Sequence, residues 1–544
     1  MKITLEDLPS ELLIKIVSLL RYHDILRTQA VSKRFEELIR TSVRLQYIIE
    51  LGVAGYVHNP FEPLFTEQRL RMLVEHQAAW KRLDLRIANT ISMSGLGDYR
   101  KYDRGIYLRL DANTMPGFDT LDVFDLMSPN LPSWSIHTDF EFSNDCEVDP
   151  VQDLIVLPHV SSVQQGSSLD ISVLSLRLGT IHPRASCSPI RVGFESWDMP
   201  LCTSVQVADD VVALSVYTHR FAHKFEVVIL EWTTGAVKMR LSQPVDRVLR
   251  DFYIVSPQWL LVTSVTRYPG RLPAVDVYSL DGMASMAEAG GTRVPTHVAT
   301  YELPPPRPEH VARIRINGNN AWNYHKSSVY QSVLGCPFGT SKLSSIVHLT
   351  LRLVEVLSSD APDGRRQHVF DIFTPLSTFL GNVETLNEGN PTEPLLVPWN
   401  VWGPQSTRWF RDLAAIHTAS THGCRVIWPD RVWDFNRIDN VRDISRRENV
   451  SPWSYIHDLP TIIKGASVFL EDIVSWLPYR ETYIQSPLTL QGMWTTDRLV
   501  GWNVNIESAF YWNPVDNGTS QITEEGLDVH LLEGVTLPPL CASI

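Results

Sequence analysis

The chain has 544 residues and a formal net charge of −13, and 44% of its residues are hydrophobic and 20% charged. This composition is ordinary for a globular protein, and the acidic balance disfavours nucleic acid and anionic membranes as partners. No apolar run reaches the ~20 residues of a membrane-spanning helix, and the acidic N-terminus lacks the features of a signal peptide. We therefore expect a cytoplasmic or nuclear protein.

Three short helical patterns occupy the N-terminal segment. Pro9 suits the first turn of a helix, where its missing N–H costs nothing. Asp24 and Ser32 are candidate N-caps, Asp24 for a second helix over 25–31 and Ser32 for a third. A unit this small buries too little surface to be stable by itself, so we expect it to need a partner. The apolar residues of the first pattern recur at helical spacing, at Leu8, Leu12, Ile16, Leu19 and Leu20.

The spacing of these residues resembles the F-box. The matching positions are Leu8, Pro9, Glu11, Leu12, Ile16, Leu20, Asp24, Leu26, Val31, Ser32, Arg34 and Phe35. Phe35 stands where the family often has Trp, a departure that keeps the aromatic bulk. The resemblance implies that these residues, Asp24 apart, bind the Skp adaptor, which bridges to a cullin scaffold in a ubiquitin ligase. The alternative is a generic helical hairpin whose leucines only form its core.

The character of the sequence changes after this segment. Residues 1–45 are predicted as the F-box, and residues 46–95 as a helical linker with a helix that Thr66 could cap. Residues 96–544 consist of short β runs separated by turn signals. We therefore predict a small all-α domain followed by a large all-β domain.

The β runs repeat. The clearest unit lies at 211–241, where two strand patterns precede a turn at 233–235 and a third strand. Similar runs begin at 121, 171, 227, 275 and 368, and the last, longer interval could hide a divergent copy. SVFLEDIVSWL and GMWTTDRLVGW, near the C-terminus, fit one more unit. This period indicates a WD-like β-propeller of about seven blades, its ring closed by N- and C-terminal strands. A β-sandwich or two smaller β domains are the alternatives.

The sequence contains none of the common motifs of catalysis or cofactor binding. It has no H-E-x-x-H, G-x-S-x-G, P-loop or G-x-G-x-x-G pattern, and its six cysteines and seventeen histidines are dispersed. No catalytic residue, cofactor or metal site is therefore predicted. The basic pairs Arg365-Arg366 and Arg446-Arg447 could bind an acidic or phosphorylated motif, although solvated loop charge is the simpler interpretation.

Three functions are compatible with these patterns. In the first, the chain is a non-catalytic substrate receptor: the F-box binds Skp, and the β domain holds an unknown target protein near the ubiquitin carrier, where proximity raises the rate of transfer. In the second, the chain binds Skp but is a scaffold outside any ligase. In the third, it is a propeller hydrolase or lyase with a fortuitous helical N-terminus, which requires carboxylates or histidines that converge on a central funnel.

Overall fold

The structure of the chain is a computed structural model. It describes, besides Leu5, residues 8–60, 63–83, 85–93, 100–103, 106–110, 120–125, 132–140, 145–160, 168–194, 200–218, 224–267, 272–281, 293–318, 337–355, 367–381, 393–411, 420–428, 431–436, 453–465, 468–483, 491–494, 498–502 and 527–534.

The N-terminal part of the chain forms a helical unit. Ser32 and Ser42 begin its third and fourth helices, since each hydroxyl accepts a hydrogen bond of 3.4 Å from the backbone N–H three residues on. The fourth helix ends at Gly55, whose φ of +71° is a left-handed conformation that glycine adopts without strain. The elements of the helical unit are α1 (Ser10–Val17), α2 (Tyr22–Gln29), α3 (Lys33–Thr41), α4 (Val43–Ala54), β1 (Tyr56–His58) and α5 (Thr66–Arg82).

One small core holds the first four helices together. Leu13 of α1, Ile25 of α2 and Ile39 of α3 are each 0% exposed. Leu45 and Ile49 of α4 belong to the same core, so the predicted boundary at residue 45 falls inside a helix that packs on the F-box segment. The other fully buried members are Val17, Phe35, Leu38 and Val53.

The remaining described residues form seven sheets of four or five strands, here called the β body. All strand pairs within them are antiparallel except one parallel pair at the edge of sheet 4. Sheet 1 contains β3 (Arg100–Asp103), β4 (Ile106–Leu110), β5 (Thr120–Asp125) and β6 (Ser133–His137). Sheet 2 contains β7 (Glu147–Asp149), β8 (Leu154–Val160), β9 (Ser168–Ser175) and β10 (Ile190–Gly193). Sheet 3 contains β11 (Leu201–Ala208), β12 (Val211–Thr218), β13 (Lys224–Glu231) and β14 (Ala236–Ser242). Sheet 4 contains β15 (Arg247–Ser256), β16 (Trp259–Thr266), β17 (Pro273–Ser279), β18 (Thr296–Glu302) and β23 (Leu395–Val397).

The last three sheets follow the same plan, and sheet 7 takes one strand from the start of the β region. Sheet 5 contains β19 (His310–Asn317), β21 (Ile346–Glu355), β22 (Gln367–Pro375) and β24 (Arg408–Arg411). Sheet 6 contains β25 (Ser420–His422), β26 (Arg425–Ile427), β27 (Arg431–Asp434), β31 (Tyr479–Tyr483) and β28 (Ser454–His457). Sheet 7 contains β32 (Gln491–Trp494), β33 (Arg498–Trp502), β34 (Leu527–Gly534) and β2 (Leu85–Met93).

Smaller elements lie between the sheets. A short strand pairs with β1 of the helical unit, and two others form a separate hairpin. These elements are β20 (Phe338–Thr340), a 3₁₀ helix (Lys342–Ser344), α6 (Ser377–Leu380), α7 (Trp399–Ser406), β29 (Thr461–Ile463) and β30 (Ile473–Ser475).

Consecutive sheets pack face to face. Because alternate side chains of a strand point to opposite faces, β15 buries Phe252 against sheet 3 and Tyr253 against sheet 5. Separate apolar cores lie in the same way between sheets 1 and 2, 2 and 3, and 5 and 6. The first strands β7, β11, β15 and β19 also contact one another in succession. Sheets 2 to 5 therefore have an apolar core on each of their two faces.

Sheet 3 has the arrangement predicted from the sequence. Its strands cover the three predicted patterns, and Gly235 closes the last turn with a φ of +75°. Glycine adopts this left-handed conformation without strain, and an added Cβ would also displace the exposed Cys187 side chain, whose Sγ would lie 2.3 Å away.

Four sequence expectations need correction. The second helix begins at Tyr22, before its predicted cap, and the end of the predicted helical linker is the strand β2. The long interval between the runs at 275 and 368 holds no further sheet among the described residues, since β17 and β22 belong to consecutive sheets. SVFLEDIVSWL contributes β30 to the small hairpin, whereas GMWTTDRLVGW contributes to sheet 7.

Candidate functional site

The first helix exposes a row of apolar side chains. Leu12 and Ile16 are 49% and 41% exposed, although Leu13 and Val17, one position on, are buried. Leu26 of α2 and Val31 after it are also exposed, Val31 at 71%. The wide apolar stripe of the sequence, which includes Leu13 and Val17, is therefore divided: one part is buried in the core and the other is in contact with solvent. Exposed apolar side chains at successive helical positions are typical of a protein-binding surface.

Most of the predicted adaptor contacts lie on this surface. Leu12, Ile16, Leu20, Leu26 and Val31, together with Pro9, Glu11 and Arg34, are exposed. Leu8 is half-buried against the helical core, and its carbonyl accepts a 2.7 Å hydrogen bond from Arg34 Nη2. Ser32 caps α3. Phe35 is only 4% exposed, which places this predicted contact residue in the core beneath the surface.

A backbone junction joins the helical unit to the β body. Strand β1 pairs with β20 over three residues. Just before it, the Gly55 carbonyl accepts a 2.8 Å hydrogen bond from the Ser341 N–H, and just after it the Asn59 N–H donates to the Pro337 carbonyl at 2.9 Å. Backbone pairing of this kind fixes the register between two parts of the chain that lie far apart in sequence.

A buried arginine of sheet 6 strengthens the same junction. Arg425 donates from Nε to Asp434 Oδ2 at 3.1 Å, from Nη1 to the Tyr56 hydroxyl at 3.2 Å and from Nη2 to Gln77 Oε1 at 3.2 Å. Its guanidinium also lies over the ring of Trp80, 4.8 Å from the centroid. One cation therefore contacts β1, α5 and its own sheet. Arg425 and Asp434 are among the most buried charges of the described chain.

The charges at the junction are mutually supported. Burial disfavours a guanidinium, but the Asp434 carboxylate outweighs this and keeps the pKa of Arg425 above its ordinary value. Burial likewise opposes the Asp434 charge, while Arg425 and Arg480 hold the pKa of that carboxyl below its usual range. Burial, reinforced by the positive charge of Arg425, lowers the pKa of His422 to about 3. The histidine is therefore neutral and the ion pair charged at physiological pH.

Comparison with known families bears on the first part of the chain. Residues 5–45 match the F-box-like family model. The chain contains an F-box-like domain. Such domains generally bind Skp and, through it, cullin. Among curated proteins nothing matches the chain.

Solved structures resemble parts of the chain only distantly. An uncharacterized protein from Listeria monocytogenes EGD-e is 9% identical with a TM-score of 0.27, over 53% of this chain and 66% of that one. Hydrazine synthase from Kuenenia stuttgartiensis is 12% identical with a TM-score of 0.27, over 52% and 64%. The β-propeller domain of the Trilobed protease from Pyrococcus furiosus is 8% identical with a TM-score of 0.25, over 52% and 91%. The chain thus spans under two thirds of the first two, and TM-scores this low do not establish a shared fold.

Beyond the F-box-like domain, the sheets share a feature that the sequence reasoning missed. The third strand of every sheet carries an acidic residue between two hydrophobic residues. Each acid in sheets 1 to 6 binds a cationic or histidine side chain of its own sheet: Asp122–Arg109 at 2.6 Å, Asp170–Arg191 at 2.8 Å, Glu226–Arg240 at 3.5 Å, Asp276–Arg247 at 2.9 Å, Asp371–His348 at 2.8 Å and Asp434–Arg425 at 3.1 Å.

The signal for these recurring acids is visible in the sequence. The triplets are LDV, LDI, FEV, VDV, FDI, WDF and LDV, centred on residues 122, 170, 226, 276, 371, 434 and 528. Aligning the β runs on the acid, instead of on their first apolar residue, brings all seven third strands into register. Asp434 is the copy whose partner, Arg425, also contacts the F-box-like domain's neighbouring elements β1 and α5.

The described part of the chain holds no group of three or more His, Cys, Asp or Glu side chains that could bind a metal ion. Of its helices, none is long and apolar enough to cross a membrane. The basic pairs Arg365-Arg366 and Arg446-Arg447 lie outside the described residues.

Proposed function

We propose that this protein is a substrate receptor of a Skp–cullin–F-box ubiquitin ligase: the F-box-like domain binds Skp, and the β body binds a target protein. The exposed apolar row of α1 carries the proposal. Burying a leucine or isoleucine contributes roughly 1.5–3 kcal/mol relative to leaving it in water, so Leu12 and Ile16 favour a bound partner. The family match over residues 5–45 supports Skp as that partner.

The junction supports a receptor more than a pair of independently moving domains. Tethering raises the local concentration of a target lysine near the ubiquitin carrier only if the connecting segment allows both ends to meet. The paired strands β1 and β20 and the buried Arg425 hold the F-box-like domain against the β body. A target on the β body would therefore be presented in one orientation.

The same proposal includes a seven-bladed propeller for the β body. Three observations support it: successive face-to-face packing of the sheets, contacts between their first strands, and an acidic residue on the third strand of each sheet. Sheet 7 combines β2 with the C-terminal strands, which is how a ring of blades is closed. An experimental structure with two sheets packed as a sandwich would contradict it.

The adaptor contact is tested with the double variant L12S/I16S in the full chain. Both side chains are exposed, so we expect the variant to fold while its Skp affinity falls about ten- to a thousand-fold, at 1.4 kcal/mol per decade. Isothermal titration with purified Skp measures the affinity, and circular dichroism checks the helices. The matched control is L178S, because Leu178 is 73% exposed in a turn of the β body.

Two results separate the alternatives. Unchanged Skp affinity of L12S/I16S, with the helices intact, would contradict the adaptor role. Purification of the full chain from cells should recover cullin together with Skp; recovery of Skp without cullin would favour a scaffold outside the ligase. The non-catalytic role predicts no turnover of ester, glycoside or phosphate substrates by the purified protein.

A further inference from the structure

Four arginines of the β body form no ion pair among the described residues, in a protein that has an excess of acid. The chain carries 61 Asp and Glu against 48 Lys and Arg, and most buried or half-buried arginines of the sheets are ion-paired. Among the described residues, no hydrogen bond or ion pair is made by the side chains of Arg250, Arg313, Arg315 and Arg352.

These residues, here called the arginine cluster, lie on adjoining strands. The first strands β15 and β19 are in contact, and the Ile316 N–H donates to Asp251 Oδ2 across them at 3.1 Å. Arg250 and Arg313 are exposed on these strands. Arg352 of β21 lies directly opposite Arg313 in the antiparallel pair, so the two share one face of sheet 5, and its buried Nε has no partner.

The surrounding groups do not neutralise the arginine cluster. Asp251 is half-buried as a whole residue, but its carboxylate is enclosed by protein. This burial raises the pKa of Asp251 to about 6. Its oxygens accept hydrogen bonds from the Phe252 and Ile316 N–H groups, and Asp145 is the other carboxylate near it. Desolvation by the surrounding protein, followed by the charge of Arg313, lowers the pKa of Arg250, while the nearby Tyr217 opposes this. Arg315 lies close enough to Asp251 to oppose the rise of its pKa, although the two form no ion pair. One carboxylate against four arginines leaves the cluster with an excess of positive charge.

The spacing of the arginine cluster indicates the shape of its ligand. Arg313 and Arg315 are two residues apart on β19 and point to the same face, so their Cα atoms are about 7 Å apart. Carboxylates at every second position of an extended peptide repeat at the same distance. Guanidinium groups bind carboxylates in bidentate pairs, which adds geometric selection to charge.

We propose that the arginine cluster binds an extended acidic segment of the target protein, with carboxylates at alternate positions. The proposal specifies the chemical class of the ligand. That the acidic segment belongs to a target protein rests on the proposed function. The binding itself is independent of Skp, because the cluster lies on sheets 4 and 5 and not on the exposed row of α1.

The test measures binding of a fluorescein-labelled peptide with glutamate at every second position and glycine between, using anisotropy and the full chain. The variants are R313Q/R315Q and, separately, R250Q. The matched control is R267Q, because Arg267 is exposed at the end of the neighbouring strand β16 and its side chain makes no ion pair among the described residues. A peptide of equal composition with its glutamates contiguous tests the spacing.

We expect the alternating peptide to bind the wild type and R267Q equally, to lose affinity with rising salt, and to bind R313Q/R315Q at least about ten-fold more weakly. R250Q should be weakened in the same direction. Skp affinity should be unchanged in every variant, which separates this result from a failure of the adaptor proposal.

Two outcomes would overturn the inference. One is equal peptide affinity of R313Q/R315Q and R267Q, with both folded by circular dichroism. The other is saturable binding of tripolyphosphate, competing at the same arginines, with no binding of the alternating peptide; this would assign the arginine cluster to a small anion instead of to a protein segment.

Discussion

Arg425 shows how much of the architecture depends on one side chain. It is 2% exposed, and its donors serve a carboxylate of its own sheet, a phenol of β1 and an amide of α5. Nothing in the local sequence marks it, because Arg425 is separated from Tyr56 and Gln77 by more than three hundred residues. Phe35 illustrates the opposite limit: its family position identified it as an adaptor contact, yet it shares one face of α3 with Leu38 and Ile39, and that face is buried in the helical core.

Replacement of Arg425 by methionine keeps much of the volume but leaves the Tyr56 hydroxyl and the Gln77 amide without this donor. Removal of one member of a buried ion pair is expected to lower the free energy of unfolding by about 3 kcal/mol. Urea denaturation of the full chain measures the change. The control R44M alters an exposed arginine of α4 that has no ion pair among the described residues, and it should stay within about 0.5 kcal/mol of wild type.

The low pKa of His422 makes stability depend on pH. Its folded pKa is about 3, against roughly 6.5 when unfolded, so between these values the unfolded chain binds the extra proton. Stability is therefore fully present above about pH 6.5 and falls as the pH is lowered toward 3, by at most about 1.4 kcal/mol per pH unit for this group.

This prediction is checked by melting temperatures of the wild type and H422Q from pH 7.5 to 5. The variant should lose less stability than the wild type over that range. Asp251, with its pKa raised to about 6 by burial, acts in the opposite direction in both proteins and cancels in the comparison. Parallel curves for the two proteins would show that His422 is not buried as a neutral group.

At the scale of single elements, one of the three predicted caps and the clearest turn are confirmed, whereas Asp24 and Thr66 lie inside their helices, whose N-caps are Arg21 and Phe65. Ser32 as an N-cap and the 233–235 turn are confirmed because each depends on neighbours within a few residues. The start of α2 at Tyr22 and the strand character of β2 depend on distant partners, the helical core and β34. Packing against the helical core likewise explains why α4 continues across residue 45.

Gly55 links two of these elements. It ends α4 with a φ of +71°, immediately before β1, and a Cβ there would lie 3.0 Å from Ser344 Cβ. G55A should therefore destabilise the protein by roughly 1–2 kcal/mol through left-handed strain alone. The control G193A places its methyl in open space at an ordinary φ and should be nearly neutral. Equal midpoints of the two variants in urea would contradict a tight junction.

Across the whole molecule, the recurring acids explain why the β repeat was detectable and why its period looked irregular. The third strands are regular, but insertions between 275 and 368 and before 528 stretch the intervals. The location of the arginine cluster was not predictable, because it comes from sheets brought together by packing and not from a local motif. The basic pairs that the sequence did suggest lie outside the described residues.

The recurring acids also predict a graded response to mutation. Asp276 is 0% exposed and joins Arg247, Ser264 and Thr300 at 2.9, 2.5 and 2.7 Å, whereas the Asp122 side chain is 19% exposed. D276A removes the buried carboxylate that these three partners share, so we expect a loss of about 3–5 kcal/mol, and D122A a clearly smaller one. Chemical denaturation of both variants measures the order; an equal or inverted order would contradict a role set by burial.

The pairing of β2 with β34 has a consequence for synthesis. On the ribosome, β2 emerges after the F-box-like domain and α5, but its partner is translated hundreds of residues later. Until then β2 presents an unpaired strand edge, the kind of surface that promotes aggregation or chaperone binding. A nascent chain can thus display a finished F-box-like domain while its β body is still incomplete. Under the proposed function, premature termination before residue 527 would leave a chain that competes for Skp but lacks the pairing of β2 with β34.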